Sequence, residues 1–502
     1  MQSVLSLSLA LSAQVSAMTI PAAPFAGSPT SDIYPPSGTL PPESVVGFAG
    51  PTPTGVEPAA VQTAPIYPYN EGDSSSFPLV APNSHGAGAD STFNMKKYWG
   101  NLSPCDAAPA RFAEKIANAT KKGFEVSNEL KFLADWTYKL GAELLTPFGR
   151  SQEFLLGLEH RQLYGELLNN FTEQGTLPVF RTESQDRMVK TAINFAAGFF
   201  GVPEYMDEVN IEILAEAPHV NNSGAPYEVC PNAAVKSRGD IGSTVAEKFA
   251  KGAFDATLAR LNSQITGLEF DAADAVSMLQ LCSYETVALG YSSFCGLFSE
   301  EDFINYEYYY DLVFYYNNGP GSPVSAAQGK GYLQEYVARF THEYPKPYSA
   351  LNETFDNSST YFPLNQSIYA DATHEVVVLD TLTAFNLSAL FKGPPLSLKQ
   401  NERRNSFSSS KVIPFATHFT TQVLECPAYK PTKQIRFMVN DAVLPLNESY
   451  PGCEANCHGL CSFDNVVEVL KKRIEEIDFS YDCFADYTAK EGVDYNGRAP
   501  RK

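Results

Sequence analysis

The sequence predicts an α/β fold in which a mainly parallel sheet is flanked by helices and carries a helical insertion domain. A short apolar strand at residues 177–181 is followed by a helical pattern over residues 186–200, and strand-like runs return after residue 328. A strand, a helix and another strand in that order are typical of βαβ units. Residues 201–328 are richer in helical patterns, and they form the predicted insertion.

Three helices are predicted before the first strand. Apolar residues at helical spacing cover residues 109–122 and 129–140, and the two patterns end at Gly123 and Gly141. Glycine ends a helix readily because it adopts the left-handed conformation that closes the last turn. A third helix follows the break at residues 147–149. Its predicted core face carries Phe154, Leu155, Leu158 and Leu163.

The rest of the sheet is predicted from strand-like runs in the last third of the chain. These runs are residues 368–370, 422–424 and 434–439, with a turn at 430–433. We therefore expect an α/β domain made of residues 91–200 and 329–502, interrupted by the insertion at 201–328.

Residues 1–90 are predicted to precede the folded part. An apolar run at 4–12 followed by Val15, Ser16 and Ala17 is typical of a signal peptide, which predicts secretion. Residues 18–90 hold 14 of the 35 prolines and form a predicted disordered arm. Nine NxS/T sequons support a secreted glycoprotein. They begin at Asn101, Asn118, Asn170, Asn221, Asn352, Asn357, Asn365, Asn386 and Asn447.

Charge and composition limit the classes of function. Lys and Arg number 36 against 57 Asp and Glu, which gives a formal net charge of −21. Nucleic-acid binding needs a basic surface, so no nucleic-acid partner is expected. Hydrophobic residues make up 44% of the chain, which is enough for a large core and excludes a wholly disordered protein. No apolar stretch after the signal segment reaches transmembrane length, and no membrane partner is expected.

Six strings carry most of the information about function. They are LLTPFGRSQ (144–152), FRTESQDRMVKTAINFAAGF (180–199), LCSYETVALGYSSFC (281–295), YYNNGPGSPVSAAQGKGYLQEYVARFTH (315–342), IYADATHEVVVLDTLTAFNL (368–387) and VIPFATHFTTQVLECP (412–427). In this order they resemble the histidine acid phosphatase superfamily, in particular its fungal phytase-like branch. That superfamily shares a fold with phosphoglycerate mutases, and the resemblance covers residues 91–487.

The resemblance implies a phosphomonoesterase that uses no cofactor. A histidine attacks phosphorus, and water then hydrolyses the phosphohistidine. Such chemistry needs arginines that hold the phosphoryl oxygens and a proton donor for the leaving alkoxide. Arg187 matches a phosphate-binding arginine of the family at the start of a helix, where main-chain amides also favour an anion. The alternative is an ordinary surface arginine. Arg181, near the strand end, is a second substrate-binding candidate.

His374 matches the histidine of the family's HD motif, which hydrogen-bonds the phosphate, and Glu375 takes the place of the aspartate that donates the proton. Glutamate keeps the carboxyl group but lengthens its arm by one methylene. The alternative for His374 is a structural histidine. The same three residue types, Thr-His-Glu, also occur at 341–343. There they end an amphipathic helix, so His342 is predicted to be a helix C-terminal residue.

The family's nucleophile motif, RHGxRxP, is absent from the sequence. Its place is expected between Pro104 and Pro109, which are separated by only four residues. The partial match at 84–86 lies in a Pro/Gly/Ser loop, and its His85 is interpreted as a loop residue. In the family this motif ends the first, central strand of the sheet. We therefore expect impaired activity and a poorly supported sheet, and the abrupt junction suggests a skipped exon or a gene-model error.

Nine cysteines leave at least one thiol without an internal partner. Resemblance and spacing suggest disulfides in a secreted protein. The partner of Cys426 in relatives lies in the absent stretch, and Cys105 could substitute for it. No metal is expected near His458, because the spacing of the cysteines around it is not CxxC. The other suggested pairs are Cys282 with Cys295, Cys230 with Cys483, and Cys453 with Cys461 or Cys457.

The leading prediction is a secreted phytase-like acid phosphatase that acts on small phosphomonoesters and is impaired in this chain. The alternative is a non-catalytic secreted glycoprotein that keeps the fold and binds phosphorylated ligands through Arg187 and His374. A mutase on the same fold is disfavoured, because sugar-phosphate metabolites are intracellular. The sequence makes no prediction of the oligomeric state.

Overall fold

The structure is a computed structural model that describes residues 108–141, 143–398, 407–456 and 458–501. The predicted signal peptide (1–17) and arm (18–90) lie outside the described residues. So do His85, Cys105 and Cys457.

Helices dominate the described part of the chain. The α-helices are α1 Ala108–Lys122, α2 Pro147–Tyr164, α3 Asn169–Gln174, α4 Asp186–Phe200, α5 Tyr205–Glu208, α6 Ile241–Ala253, α7 Asp255–Asn262, α8 Ala272–Leu289, α9 Glu300–Asn317, α10 Ser325–Thr341, α11 Glu353–Asp356, α12 Glu375–Ala384, α13 Ser409–Val412, α14 Phe463–Glu476 and α15 Phe479–Phe484. Short 3₁₀ helices cover Asn128–Ala134, Gly165–Leu168, Pro226–Val229, Pro231–Ala234, Ser293–Leu297 and Ser388–Phe391.

The strands form small sheets. They are β1 Glu125–Val126, β2 Val179–Glu183, β3 Asn210–Leu214, β4 Ile265–Thr266, β5 Phe419–Glu425, β6 Lys433–Val439, β7 Ala442–Val443 and β8 Cys461–Ser462. The parallel pair is β2 and β3, and β1 pairs with β4 in antiparallel orientation. The antiparallel sheet has β6 at its centre, bonded to β5, β7 and β8.

The predicted α/β class is confirmed, but parallel pairing is more limited than expected. Residues 368–370 form no strand, and an isolated parallel bridge joins Asp371 to Arg181 of β2 instead. The remaining pairing is antiparallel because β5 and β6 are joined by a short turn, a connection available only to antiparallel neighbours. The predicted insertion at 201–328 also contains β3, which pairs with β2, so the predicted domain boundaries stay a prediction.

The predicted helix at 129–140 is wrong beyond residue 134. A 3₁₀ helix ends there, with the amide of Asp135 bonded to the carbonyl of Phe132. Trp136 then turns inward, where its indole nitrogen donates to Glu285 at 2.8 Å and its ring packs edge-on against Phe294. These tertiary contacts outweigh the local helical pattern.

The predicted core face of α2 is also wrong. The helix begins at Pro147, within the predicted break at 147–149, and Thr146 caps the amide of Gly149. Leu155 and Leu163 are 60% and 62% exposed. The contact with α4 is made by glycines instead. A Cβ atom on Gly157 would lie 2.0 Å from the carbonyl oxygen of Phe195, so the two backbones approach each other more closely than side chains would allow.

Two large hydrophobic clusters form the core. One combines buried residues of α10, α12, β6 and α14, including Leu333, Leu382 and Phe437. The other joins α1 to α8 and the start of α9, through residues such as Phe112 and Leu279. None of the described helices has the length and apolar character needed to cross a membrane.

Three disulfides join cysteines that the structure describes: Cys230–Cys483, Cys282–Cys295 and Cys453–Cys461. They match the suggested pairs, with Cys461 as the partner of Cys453. Cys426 forms no disulfide with a described residue. Its pairing with Cys105 stays a prediction, since Cys105 lies outside the described residues.

Candidate phosphate-binding site

The structure brings Arg187 and His374 together at the starts of two helices. Arg187 is the second residue of α4, just after β2, and His374 is the N-cap of α12. Nη2 of Arg187 lies 3.0 Å from Nδ1 of His374, and both residues are buried, with 8% and 2% exposure. Helix N-termini present free amides and a partial positive charge, so this junction favours an anion.

The contact with Arg187 determines where His374 carries its proton. A guanidinium group has only donors, so Nδ1 of His374 must accept the hydrogen bond, and the ring proton lies on Nε2. Nε2 in turn lies 3.0 Å from Oε2 of Glu216 and donates to it. The imidazole is therefore fixed between an arginine and a carboxylate.

Glu216 follows β3 and is well supplied with donors. The Tyr227 hydroxyl donates to Oε1 at 2.7 Å, and the Gln185 side-chain amide donates to the same oxygen at 2.6 Å. Burial raises the pKa of Glu216, but the hydrogen bonds from His374 and Tyr227 outweigh it and leave the pKa below its ordinary value. Glu216 is thus the ionised partner of His374.

A second carboxyl group, that of Glu183 at the end of β2, lies on the same side of the imidazole. Its Oε2 is 3.8 Å from Nε2 of His374. The carboxyl is fully buried, and burial, followed by the charge of Glu216, raises the pKa of Glu183 well above its ordinary value. Gly224 packs directly on this group, since a Cβ atom there would lie 1.5 Å from Oε1 of Glu183.

The ligand atoms of Glu183, Glu216 and His374 all lie within 4.8 Å of one another, a spacing that could hold a metal ion. The hydrogen bonds favour another use. Because Arg187 donates to Nδ1, the nitrogen that faces the carboxylates carries a proton, and it offers no lone pair to a metal in this arrangement.

Glu375, the predicted proton donor, is the first residue of α12 and is half-buried. It borders a cavity of about 940 Å³ that Glu183 and Thr373 also line. One wall of the cavity belongs to α2 and α4 and another to α10. β2, α12, β5 and the extended segment 368–373 also line it.

The similarity of this chain to known proteins agrees with the site. A model of the histidine phosphatase superfamily (branch 2) matches residues 100–440, more than half of the chain. The chain belongs to this superfamily. The resemblance carried by the six sequence strings is thereby confirmed, and membership implies a phosphatase type of hydrolase.

The relatives of this superfamily member include fungal phytases. Phytase A of Aspergillus oryzae is 29% identical over 388 residues, which cover 73% of this chain and 79% of that protein. Phytase A of Aspergillus terreus is 28% identical over 414 residues, covering 79% and 85%. The crystal structure of the phytase from D. castellii has the same fold, with a TM-score of 0.62, 20% identity, and coverage of 78% of this chain and 81% of that one.

Arg181 does not join this histidine phosphatase site. Its Nη2 donates to Oδ1 of Asp356 at 2.9 Å, and its Nη1 lies 3.2 Å from Oε1 of Glu335. Burial lowers the pKa of Arg181, but these carboxylates outweigh it and raise the pKa above its usual value. A substrate-binding role for Arg181 stays a prediction, and the geometry favours an internal ion pair.

A second ionisable group borders the cavity at His418. Its Nε2 lies 3.0 Å from Oδ1 of Asp441, and its Nδ1 lies 3.4 Å from the carbonyl of Ala416. Burial lowers the pKa of His418, but the bond to Asp441 outweighs it and raises the pKa. Nearby, burial raises the pKa of Glu153 to about 7.

Sequence reasoning missed Glu183, Glu216 and Tyr227. A signal for Glu216 existed, since ligands of α/β folds gather at the carboxyl ends of parallel strands. The sequence pattern places residues 210–214 in the predicted helical insertion, so it gives no indication that a strand ends there. His342, by contrast, is the C-cap residue of α10 in the left-handed conformation, in agreement with its predicted place at the end of that helix.

Proposed function

We propose that this protein is a secreted acid phosphatase of the phytase-like type. It binds small phosphomonoesters, including inositol phosphates, at Arg187 and His374. The observation that carries the proposal is the 3.0 Å contact between these two side chains at the N-termini of α4 and α12. An arriving phosphoryl group takes up donors of Arg187 and the amides of both helices. Glu375, at the rim of the cavity, protonates the leaving oxygen.

We further propose that turnover by this chain is impaired. Phosphohistidine chemistry forms a P–N bond as the P–O bond to the leaving group breaks, and water then cleaves the P–N bond. The attacking nitrogen needs a free lone pair. Among the described residues, His374 is the histidine that contacts Arg187, and its Nδ1 accepts from Arg187 while its Nε2 carries a proton.

The cavity supports the same proposal. The outer edge of β5 has no partner strand among the described residues, and the segment 368–373 bonds to β2 along one edge. Both line the cavity, between helices that cover its two faces. In an α/β fold, helices cover both faces of the sheet. If an internal strand is lacking, a gap remains between the edges of its two neighbours, and helices still cover both faces of that gap.

Hydrolysis of an aryl phosphate at acid pH, measured together with sulfate binding, tests the proposal. We expect sulfate binding that is lost in Arg187→Ala and His374→Ala, with hydrolysis far slower than that of a phytase relative assayed in parallel. Hydrolysis at the relative's rate would contradict the proposed impairment. Binding without any hydrolysis would favour the alternative, a non-catalytic secreted glycoprotein that binds phosphorylated ligands.

A further inference from the structure

Two carboxyl groups compete for one imidazole proton in this site. Oε2 of Glu216 lies 3.0 Å and Oε2 of Glu183 lies 3.8 Å from Nε2 of His374. Nε2 carries a single proton because Arg187 occupies the other ring nitrogen. That proton goes to Glu216, which is the nearer acceptor.

The hydrogen bonds around the two carboxyl groups also favour a charged Glu216 and a neutral Glu183. Glu216 accepts from His374, Tyr227 and Gln185, as an ionised carboxylate requires. Oε2 of Glu183 is shielded from solvent and has no hydrogen-bond partner among the described residues. A buried carboxylate oxygen without a donor is costly when it is charged.

The other oxygen of Glu183 packs against Gly224, where a Cβ atom would lie 1.5 Å from it. The charged and titratable groups around it are Glu216 and Asp371, which oppose its ionisation, and Arg181, which favours it. Arg181 is already bound to Glu335 and Asp356. His374 is neutral and donates to Glu216, and the hydroxyl of Tyr227 also donates to Glu216. Arg187 donates to His374.

We propose that Glu183 holds a proton in the functional protein, so that Glu183 and Glu216 together carry one negative charge, and that loss of this proton weakens anion binding at Arg187 and His374. The second half of the proposal rests on the proposed function. Glu183 acts here as a positioning residue: by staying neutral, it keeps a second negative charge away from the phosphoryl group.

Sulfate is a suitable probe because its own charge does not change over the relevant pH range. Its affinity for the full chain is measured by calorimetry between about pH 4 and about pH 8, which spans the ordinary carboxyl and imidazole ranges. In the wild type we expect affinity to fall by about tenfold or more as Glu183 ionises, which corresponds to one pKa unit of coupling. Glu183→Gln, which keeps the shape and stays neutral, should lose much less affinity than the wild type over this range; the carboxyl group of Glu143, 3.4 Å from Nη1 of Arg187, is present in both proteins.

Asp380→Asn is the matched control. Asp380 is another fully buried carboxyl group, bonded to Asn318 and outside the site, and burial raises its pKa well above the ordinary value. This variant should show the wild-type pH dependence. An unchanged pH dependence in Glu183→Gln would overturn the link to anion binding.

The infrared carbonyl band of a protonated carboxylic acid tests the proton itself without any ligand. The difference spectrum, wild type minus Glu183→Gln, should contain this band near neutral pH, whereas the bands of other buried acids such as Asp380 are present in both proteins and cancel. If Glu183→Gln fails to fold, Glu216→Gln serves instead, since removal of the neighbouring charge should move the titration of the band to lower pH. A difference spectrum without the band overturns the proposal. A difference spectrum with the band, in a protein that binds no sulfate at any pH, refutes the proposed function and upholds the protonation of Glu183.

Discussion

Gly198 of α4 lies so close to Phe154 of α2 that a Cβ atom on it would be 1.9 Å from the Phe154 carbonyl oxygen. Gly157 makes the reciprocal approach to Phe195. Both helices border the cavity next to the site, and α4 also carries Arg187. The position of α4 therefore depends on a backbone contact that only glycine permits.

The first prediction concerns this contact. Gly198→Ala should lower the free energy of unfolding by about 2 kcal/mol or more, because a backbone oxygen cannot move aside as a side chain can. Urea denaturation measures the effect. Gly296→Ala is the control, since a Cβ atom at Gly296 meets no atom within 4 Å. Equal stability of the two variants would show that the helices can separate at little cost.

The second prediction concerns Glu153, whose pKa burial raises from 4.5 to about 7. The folded state thus binds this proton more tightly than the unfolded state does. Glu153 does not lower the free energy of unfolding below about pH 4.5, but its ionisation lowers that free energy by roughly 3 kcal/mol as the pH rises to about 7. Glu153→Gln removes the titration and should flatten this part of the profile of unfolding free energy against pH. Glu114→Gln, at an exposed position of α1, should leave the profile as it is. A steep profile retained in Glu153→Gln would assign the pH dependence to other groups.

The third prediction separates the two interpretations of Arg181. Arg181→Met leaves Glu335 and Asp356 without their buried cation and should cost about 3–5 kcal/mol of unfolding free energy. Under conditions where the variant is folded, sulfate affinity at Arg187 should stay near the wild-type value. Arg111→Met, at an exposed position, controls for the loss of one positive charge. A large loss of sulfate binding with little loss of stability would favour the substrate-binding interpretation.

The fourth prediction compares two disulfides. Cys230–Cys483 joins residues 253 positions apart, whereas Cys453–Cys461 joins residues 8 apart. Because a longer closed loop restricts the unfolded chain more, paired alanine substitutions should cost roughly 5.5 kcal/mol for the first and roughly 2.5 kcal/mol for the second. Thermal unfolding under identical buffer conditions ranks the two variants. The reverse order would mean that native contacts, not chain entropy, dominate.

The fifth prediction concerns glycosylation after expression through a eukaryotic secretory pathway. Asn357, Asn365 and Asn447 are exposed and should carry glycans. Asn221 should stay unmodified, because its side-chain amide donates to the carbonyls of Leu351 at 2.8 Å and Tyr348 at 3.5 Å, and a glycan would replace one of these two hydrogens. Peptide mass spectrometry reports occupancy at each sequon. A glycan on Asn221 would show that these hydrogen bonds form only after modification, or not at all.

Local signals predicted the parts of the fold that depend on local structure. The helix over 186–200 has the predicted bounds, because its apolar spacing and the strand before it agree with its tertiary position. The helix expected after residues 147–149 is present, although it begins earlier, at Pro147, where Thr146 caps it. The strands at 419–425 and 433–439 enclose the predicted runs.

The failures arise where tertiary contacts decide. Trp136 leaves the helical path because it binds Glu285, which is distant in sequence. Leu155 stays exposed because glycines, not leucines, make the contact between α2 and α4. In the site, Arg187 and His374 could be found from local strings. Glu183 and Glu216 become visible only when the parallel pairing of β2 with β3 is known.

The unpaired edge of β5 has a consequence for handling the protein. Its main-chain amides and carbonyls meet no strand among the described residues, and a strand of another chain that enters the cavity can pair with them. Oligomers and precipitates of this protein should therefore form more readily as its concentration rises. A purification that keeps the protein dilute until late steps should recover more of the soluble form.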